Sequence, residues 1–450
     1  MAKITFTGAG STVFARRILG DVLFSSPLRD SHLALYDIDA ARLRDCRLAM
    51  NNLNENLNKG RAKITAHLGT ENRRAAFKDA DFIINAIQVG GYPSTVVDFE
   101  IPKKYGLHQT IGDTIGIGGI FRGLRTIPVL LDFARDIEEV CPGAWFLNYT
   151  NPMSILTGAM LRASNVKTVG LCHSVQVCTL ALLRSAGMNE YIVKKKPDKD
   201  IQWKVAGINH MSWLLEITHN GRDLYPEIKK RAERINRDAR KNGAVKHDDM
   251  VRLEIMRHFG YYVTESSEHN AEYSPYWIKQ RYPELIEEFN IPLDEYPRRC
   301  IKQMERWETQ RRELVENKKL KQKRSHEYGA SIIEAIVTDK PVCIHGNILN
   351  NGLITNLADN AVVEVPCLID RNGVQGCFVG ELPVQCAALN NTNINVHLMT
   401  IEAALTKKRE AIYQAAMLDP HTAAELPLDK IKELCDDLIK AHGKMLPVYK

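Results

Sequence analysis

The sequence predicts an α/β protein, with a doubly wound parallel sheet in its first half and an α+β region in its second half. In the first half, short apolar runs alternate with segments of helical spacing, as in parallel strands joined by helical crossovers. After about Met188 this alternation stops, and strand-like runs are followed by long helices. Because 450 residues exceed one ordinary core, we expect two closely associated domains, residues 1–190 and 191–450.

Six apolar runs in the first half are predicted strands. They are Lys3–Gly8, His32–Tyr36, Lys63–Leu68, Asp81–Val89, Ala144–Asn148 and Lys167–Cys172. Helical spacing predicts helices between them, including Val13–Leu23 and Ala40–Asn58. In such sheets the chemistry lies at the carboxyl ends of the strands, so polar residues at those ends are the first candidates for a site.

The second half begins with two strands, Trp203–Ala206 and Trp213–Thr218, which we expect to be antiparallel. Helices are predicted from Ile228 to Asn242, from Tyr296 to Lys323 and from Thr400 onward, and strands at Pro341–His345 and Val362–Ile369. No repeat or low-complexity linker separates the halves.

Composition excludes several classes of protein. The basic runs Lys194–Lys196 and Lys318–Arg324 have no interleaved aromatics, and with a net charge of only +6 they indicate solvated surface and no nucleic-acid partner. No apolar run approaches the roughly 18 residues of a membrane span, and no secretory signal is recognised. The ten cysteines lack paired spacing, so we expect reduced thiols and a cytoplasmic location.

The turn after the first strand, Gly8-Ala9-Gly10-Ser11-Thr12, is typical of dinucleotide binding. Its glycines let backbone amides approach a pyrophosphate at the start of the next helix. The third glycine of the usual fingerprint is absent, and a lone G-x-G can be a simple connection. Asp37 follows the second strand, where an acid binds a ribose hydroxyl and disfavours a 2′-phosphate. The sequence therefore predicts a Rossmann-type fold with NAD held by Gly8, Gly10, Ser11, Thr12 and Asp37.

Cys172 and His210 are candidate metal ligands. Cys172 ends a predicted strand, and His210 lies in the turn between two others. Thiolate and imidazole suit a divalent transition metal, and two ligands leave open positions for a substrate oxygen. The alternative is a buried thiol and a core histidine, each of which is common.

Two further loops carry polar candidates. Asn148 and Asn151, in Asn148-Tyr149-Thr150-Asn151-Pro152, could bind sugar hydroxyls or the nicotinamide carboxamide, or could cap a turn. Asp113, in the glycine-rich stretch 112–120, could orient a base or cap the following helix.

The segment Tyr261–Tyr276 is crowded with groups that could move protons. It contains four glutamate or histidine side chains, Glu265, Glu268, His269 and Glu272, together with tyrosines that include Tyr273. General acid–base residues could come from it, although a polar surface segment with aromatic anchors would have a similar composition.

Taken together these motifs resemble glycoside hydrolase family four, the NAD- and metal-dependent glycosidases. The matching pieces, in the family's order, are GAGST, the Gly90-Gly91 turn, GDTIGIGGI, NYTNP, GLCHS, AGINH and VEVP. Within the family the chain resembles the α-galactosidase (melibiase) branch, because of CHSVQ, AGINHMSW, TESSEHNAEY and DPHTAAELPLD. The resemblance covers nearly the whole chain.

The resemblance implies roles for several residues. It places Mn²⁺ or another divalent metal on Cys172 and His210, the sugar against Asn151, and NAD at the Gly8 turn with Asn148 nearby. Asp113 matches the carboxylate with which the family raises the basicity of its base.

Two positions depart from the family's pattern and leave the acid and the base open. His173 stands where phospho-α-glucosidases have an aspartate acid and phospho-β-glucosidases an asparagine, which points away from phosphorylated sugars. The family's usual base is a tyrosine, and here the corresponding stretch leaves His269, Glu268 and Tyr273 as candidates.

The implied activity is hydrolysis of terminal α-galactosides through transient NAD-dependent oxidation at sugar carbon 3, metal-assisted elimination and water addition. The family also implies a second region like that of lactate and malate dehydrogenases, and a homodimer or homotetramer. An α-galacturonidase, whose substrate carboxylate Arg122 or Arg125 could bind, or an α-glucosidase remains an alternative. From other classes, an NAD-dependent hydroxy-acid dehydrogenase would use the same turn and accumulate NADH, and a non-catalytic NAD-binding module would leave the metal pair idle.

Overall fold

The computed structural model describes residues 1–241, 243–320, 323–325 and 327–450. Six parallel strands form the first half of the main sheet. They are β1 (Lys3–Thr7), β2 (His32–Asp37), β3 (Lys63–Leu68), β4 (Phe82–Asn85), β5 (Trp145–Asn148) and β6 (Lys167–Gly170). Their spatial order is 6-5-4-1-2-3, so the direction of winding reverses between β1 and β4 and opens a crevice there.

Seven helices connect and cover these strands. They are α1 (Thr12–Phe24), α2 (Ala40–Asn58), α3 (Arg73–Phe77), α4 (Gly91–Lys103), α5 (Gly116–Val140), α6 (Met153–Ala163) and α7 (Ser174–Ser185) among the residues described. Two apolar cores lie against the sheet, one built around α5 and the other around α1 and α2. Each predicted strand of this half is present, and α2 has the predicted bounds. Both were predictable because strands and helices that bury one face show a regular spacing of apolar residues.

The sheet continues without a break into the second half of the chain. Its further strands are β9 (Ile201–Ile208), β10 (Met211–His219), β11 (Arg222–Asp223), β12 (Tyr262–Val263), β13 (Val342–Leu349), β14 (Val362–Asp370) and β15 (Gly373–Gly376). A separate hairpin pairs β7 (Ile192–Val193) with β8 (Lys196–Pro197), and Lys194 and Lys195 form its turn. The pairing of β9 with β10 is antiparallel, as predicted.

The remaining helices are α8 (Tyr225–Ala239), α9 (Met250–Phe259), α10 (Ser267–Glu272), α11 (Glu284–Glu288), α12 (Glu295–Arg311), α13 (Tyr328–Thr338), α14 (Val384–Thr406), α15 (Arg409–Leu418), α16 (Pro420–Glu425) and α17 (Leu428–His442). The α/β prediction is confirmed.

Three helix boundaries differ from prediction. The helix expected from Tyr296 to Lys323 is too long, since α12 ends at Arg311 and a π-helical turn follows. The helices expected from Thr400 onward begin earlier, because α14 begins at Val384, directly after its N-cap residue Pro383. The helix expected to reach Asn242 ends at Ala239, and Asn242 lies outside the described residues, as do Lys321 and Gln322 of the second basic run. In the described part of the chain, no helix has the length and apolar character needed to cross a bilayer.

Candidate active site

The turn between β1 and α1 brings backbone close to the crevice. Gly8 has φ +79°, and a side-chain carbon at this position would lie 2.5 Å from the carbonyl oxygen of Ala86. Only glycine fits such a conformation at such a distance. The side chain of Ser11, the N-cap residue of α1, makes no capping hydrogen bond, so the positive end of the helix is open to an anion.

Two polar side chains border this turn. The Asp37 carboxylate accepts hydrogen bonds from the backbone N–H of Gly10 (2.6 Å) and of Asp39 (2.9 Å). Each oxygen keeps a lone pair for a further donor such as a ribose hydroxyl. Thr12 is 1% exposed, and its hydroxyl has no partner among the described residues. A buried hydroxyl without a hydrogen-bond partner, beside an uncapped helix start, is consistent with a site where a bound polar ligand supplies the missing partner.

The end of β5 carries the two predicted asparagines. The Asn148 side chain is buried, donates to the carbonyl of Thr150 (3.1 Å) and accepts from Asn85 (2.9 Å), so it orders the turn. The Asn151 amide donates to Asp113 Oδ2 (3.3 Å). Asp113 thus faces the sugar-binding candidate and does not cap α5, whose N-cap residue is Ile115.

Three side chains that could ligate a metal converge beyond β6. Cys172 Sγ lies 3.4 Å from His210 Nε2, and His210 Nε2 lies 3.5 Å from Glu265 Oε2. Their ligand atoms all fall within 4.8 Å of one another. With metal–ligand bonds of about 2.0–2.3 Å, the ligand atoms around one ion are expected about 3–4 Å apart. Cys172 and His210, predicted as ligands, are therefore brought together, and Glu265 joins them.

Two of these three residues have strained backbones. His210 has φ +64° and Glu265 φ +66°, in the left-handed region that side chains other than glycine rarely adopt. The backbone N–H of Thr264 donates to the Ser212 carbonyl (2.8 Å), which fixes Glu265 beside the β9–β10 turn. Such strain persists where surrounding structure enforces it, and it concentrates at functional sites.

A buried carboxylate supports the β9–β10 turn. Glu364, in β14, accepts from Ser212 Oγ (2.9 Å), Asn209 Nδ2 (3.4 Å) and Asn347 Nδ2 (3.1 Å). Burial raises the pKa of Glu364, and these hydrogen bonds act in the opposite direction. The VEVP motif therefore holds the turn that presents His210.

The surroundings of His210 favour a cation. Burial lowers the pKa of His210, but Glu265 and Cys172 outweigh it and raise that pKa to about 10. The Tyr273 hydroxyl lies 3.0 Å from Nδ1, on the other side of the ring. That contact leaves Nε2 for a metal, in the manner of the outer partners that orient metal-binding histidines. A thiolate, an imidazole and a carboxylate fit a divalent transition metal with open positions for substrate.

His173, next to Cys172, forms a pair with a distant carboxylate. His173 Nε2 lies 2.6 Å from Glu327 Oε2, with the imidazole 48% exposed and the carboxylate 4% exposed. A buried carboxylate that holds an accessible imidazole resembles the base-and-orienter arrangement of many enzymes. Glu327, at the start of α13, has no local sequence signal, since it lies 154 residues from its partner.

The other candidates of the 261–276 segment separate in space. His269 Nδ1 lies 2.8 Å from Ser266 Oγ and 3.6 Å from Glu265, and its ring lies 5.0 Å from that of His210. Glu268 points to Arg299 and pairs with it. The structure thus directs the side chain of Glu268 to a surface ion pair and not to His210.

The two arginines after the glycine-rich loop differ in their partners. Arg125 is neutralised by Asp98 through two hydrogen bonds (3.0 and 2.6 Å). Arg122, 8% exposed, donates to the carbonyl of Asn151 (3.1 Å) and to Tyr296 Oη (3.2 Å), and no acidic side chain of the described ranges lies within ion-pair distance. Burial raises the pKa of Asp113, but Arg122, His269 and His210 together hold it below its ordinary value.

Two protein-family models match the two halves of the chain. The model for Family 4 glycosyl hydrolase matches residues 3–188, and that for the Family 4 glycosyl hydrolase C-terminal domain matches residues 205–422. The chain belongs to glycosyl hydrolase family 4. The predicted family is therefore confirmed, and so is the prediction of a glycoside hydrolase.

Three known proteins resemble the chain over at least 93% of its length. An α-galactosidase of Bacillus subtilis (strain 168) is 60% identical over 451 residues and covers 100% of both chains. An α-galacturonidase of Thermoanaerobacter italicus is 28% identical, covering 93% of this chain and 91% of its own. A 6-phospho-α-glucosidase from gut microorganisms, solved with NAD and Mn²⁺, has a TM-score of 0.79 at 22% identity and covers 100% of both chains. This last likeness shows the shared fold.

Proposed function

We propose that this chain is an NAD- and divalent-metal-dependent α-galactosidase acting on terminal α-galactosides of the melibiose type. The observation that carries the proposal is the convergence of Cys172, His210 and Glu265 at the same sheet edge as the Gly8 turn. An ordinary glycosidase needs two carboxylates flanking the scissile bond, whereas this donor set suits a metal. The full-length identity to the α-galactosidase of Bacillus subtilis supports the choice of sugar.

The chain's residues divide the binding work. The Gly8 turn and the start of α1 would hold the pyrophosphate of NAD, Asp37 the ribose and Asn151 the sugar. When bound, NAD⁺ would supply a hydride acceptor for the sugar, and the metal would supply a Lewis acid for its oxygens. Cys172, His210 and Glu265 would hold the metal.

We propose an acid and a base on the grounds of hydrogen bonds and burial. We assign the acid that protonates the leaving group to His173, because its imidazole is accessible and Glu327 orients it. We assign the base to His269, since burial lowers its pKa and keeps the ring neutral. The alternative base, Tyr273, has its hydroxyl engaged by His210, and burial raises its pKa well above 10. Asp113 would orient Asn151 and add negative charge near the base.

A second substrate, an α-galacturonide, is favoured by one observation. Arg122 is a buried guanidinium beside Asn151. Asp113 acts on its charge, but no described acidic side chain lies within ion-pair distance of it. One of its terminal nitrogens donates to no described group, so a sugar carboxylate could accept from it. Arg125 offers no such contact, because Asp98 neutralises it.

The test is hydrolysis of p-nitrophenyl α-galactoside with and without NAD⁺, Mn²⁺ and a thiol reductant. We expect activity only when all three are present, exchange of a carbon 2 deuterium with solvent, and no net NADH. Accumulating NADH would instead indicate a dehydrogenase, and equal rates without cofactor or metal would remove the redox route. Faster cleavage of the corresponding α-galacturonide or α-glucoside than of the α-galactoside would show that the substrate is that other sugar.

Assembly and compartment belong to the same proposal. We infer a homo-oligomer with α12 at an interface, because Ile301 and Met304 of this helix are 41% and 48% exposed and none of its described residues is buried. Sedimentation at two protein concentrations tests this.

Free cysteines throughout the described chain support a reducing compartment such as cytoplasm.

A further inference from the structure

Glu272 is a buried carboxylate of the crowded segment for which the proposed mechanism has no role. It is 2% exposed and ends α10, directly before Tyr273. Its side chain does not turn to the candidate metal ligands. It reaches instead to the loop of residues 110–113, where the glycine-rich stretch begins, about 160 residues earlier in the chain.

Three consecutive backbone N–H groups of that loop donate to this single carboxylate. Thr110 and Ile111 donate to Oε2 at 2.8 and 3.1 Å, and Gly112 donates to Oε1 at 2.9 Å. The Thr110 hydroxyl also donates to the carbonyl oxygen of Glu268, in the same helix (2.6 Å). Successive backbone amides around one anion form a nest, so these hydrogen bonds tie the loop to α10.

The nest lies between two parts of the site. Asp113 follows Gly112 and contacts Asn151, the residue assigned to the sugar. Tyr273 follows Glu272 and contacts His210. The carboxylate of Glu272 therefore joins the loop that carries Asp113 to the segment that carries Glu265, His269 and Tyr273.

We propose that Glu272 is a positioning residue that sets Asp113 and Asn151 at the correct distance from the base and the metal ligands. It touches neither substrate nor cofactor and acts through the loop. The inference rests on the proposed function for its effect on turnover, but its effect on the loop itself does not depend on the substrate.

The same geometry predicts a pH dependence. Burial raises the pKa of Glu272 to about 7, while the N–H groups of Gly112 and Thr110 act in the opposite direction. The charged or titratable groups that face it are Asp113 from the loop and Tyr273 from its own segment, and the Asp113 carboxylate also raises this pKa. Below about pH 7 one oxygen carries a proton, and the neutral carboxyl accepts more weakly from the three N–H groups of the loop. Activity should therefore fall as the pH falls through this range.

The test compares Glu272→Gln with a matched control, Glu425→Gln. Glu425 is also shielded, pairs with Lys279 and accepts from the backbone N–H of Gln280, but lies outside the site. A displacement of about 1 Å at a catalytic group costs on the order of 100-fold in rate. We expect Glu272→Gln to lower kcat about 10- to 100-fold and to increase the carbon 2 deuterium isotope effect. In this variant the activity should no longer fall as the pH falls through about 7. Mn²⁺ and NAD⁺ affinities should stay within about threefold, and Glu425→Gln should keep the wild-type pH profile.

Hydrogen exchange separates this inference from the proposed function. The amides of residues 110–112 should exchange faster in Glu272→Gln and not in Glu425→Gln, even if the wild type cleaves no galactoside. Unchanged exchange, or a folded variant with wild-type kcat and pH profile, would overturn the inference. If Glu272→Gln fails to fold, Glu272→Asp decides, because it keeps the charge and retracts it by one methylene. Wild-type kcat in that variant would also overturn the inference.

Discussion

The Gly8 turn and the Cys172 cluster lie at one sheet edge but are built in different ways. The turn is made of backbone at the ends of β1 and β2, and Asp37 accepts a hydrogen bond from it. The cluster is made of side chains from three separated segments, and two of its residues have strained backbones. A site made of local backbone should tolerate loss of one side chain, whereas a site made of converging side chains should fail when one is lost.

The largest expected effect comes from the cluster. Cys172→Ser removes one of the three side chains that would hold the metal, and we expect activity on p-nitrophenyl α-galactoside to fall about 1000-fold or more, the scale of a lost metal-ion contribution. Cys343→Ser is the matched control, since Cys343 is exposed on β13. An unchanged Mn²⁺ requirement in Cys172→Ser would exclude Cys172 from the metal site.

The next effect tests whether Glu265 is a ligand or a neighbour. Outer partners of metal ligands cost about 10- to 100-fold in affinity when lost, so Glu265→Gln should weaken Mn²⁺ binding by about 100-fold or more in a calorimetric titration. The control is Glu268→Gln, since Glu268 pairs with Arg299. Equal Mn²⁺ affinities in the two variants would reduce the cluster to Cys172 and His210.

An intermediate effect concerns the pair between His173 and Glu327. A positioned general acid contributes most where the leaving group is poor. Glu327→Gln should slow cleavage of methyl α-galactoside about 10-fold and leave p-nitrophenyl α-galactoside nearly unchanged. Glu334→Gln, in the same helix and paired with Arg324, serves as control. Equal slowing of both substrates would show that Glu327 supports the fold and does not orient an acid.

What the sequence could predict follows the same division. The strands, the Gly8 turn and the α2 bounds were predictable because each depends on neighbouring residues and burial periodicity. Cys172 and His210 were predictable as a pair only because each of them follows a strand of the same sheet. Glu265 was visible in a crowded segment, but its approach to His210 depends on the pairing of β10 with β12. Glu327 and the nest at Glu272 depend on contacts across more than 150 residues, which no spacing encodes.

The smallest effect is expected at the turn. Asp37→Ala removes one acceptor for a ribose hydroxyl and the partner of the Gly10 amide, and a hydrogen bond to a charged group contributes about 1.5 kcal/mol, or about 10-fold in affinity. NAD⁺ affinity, measured by fluorescence titration, should fall by about that factor, and preference over NADP⁺ should narrow. Asp39→Ala is the matched control, because Asp39 caps α2 and its loss should lower stability by about 1 kcal/mol without changing NAD⁺ affinity. If Asp37→Ala binds NAD⁺ as tightly as Asp39→Ala, the ribose contact lies elsewhere and the turn acts through backbone alone.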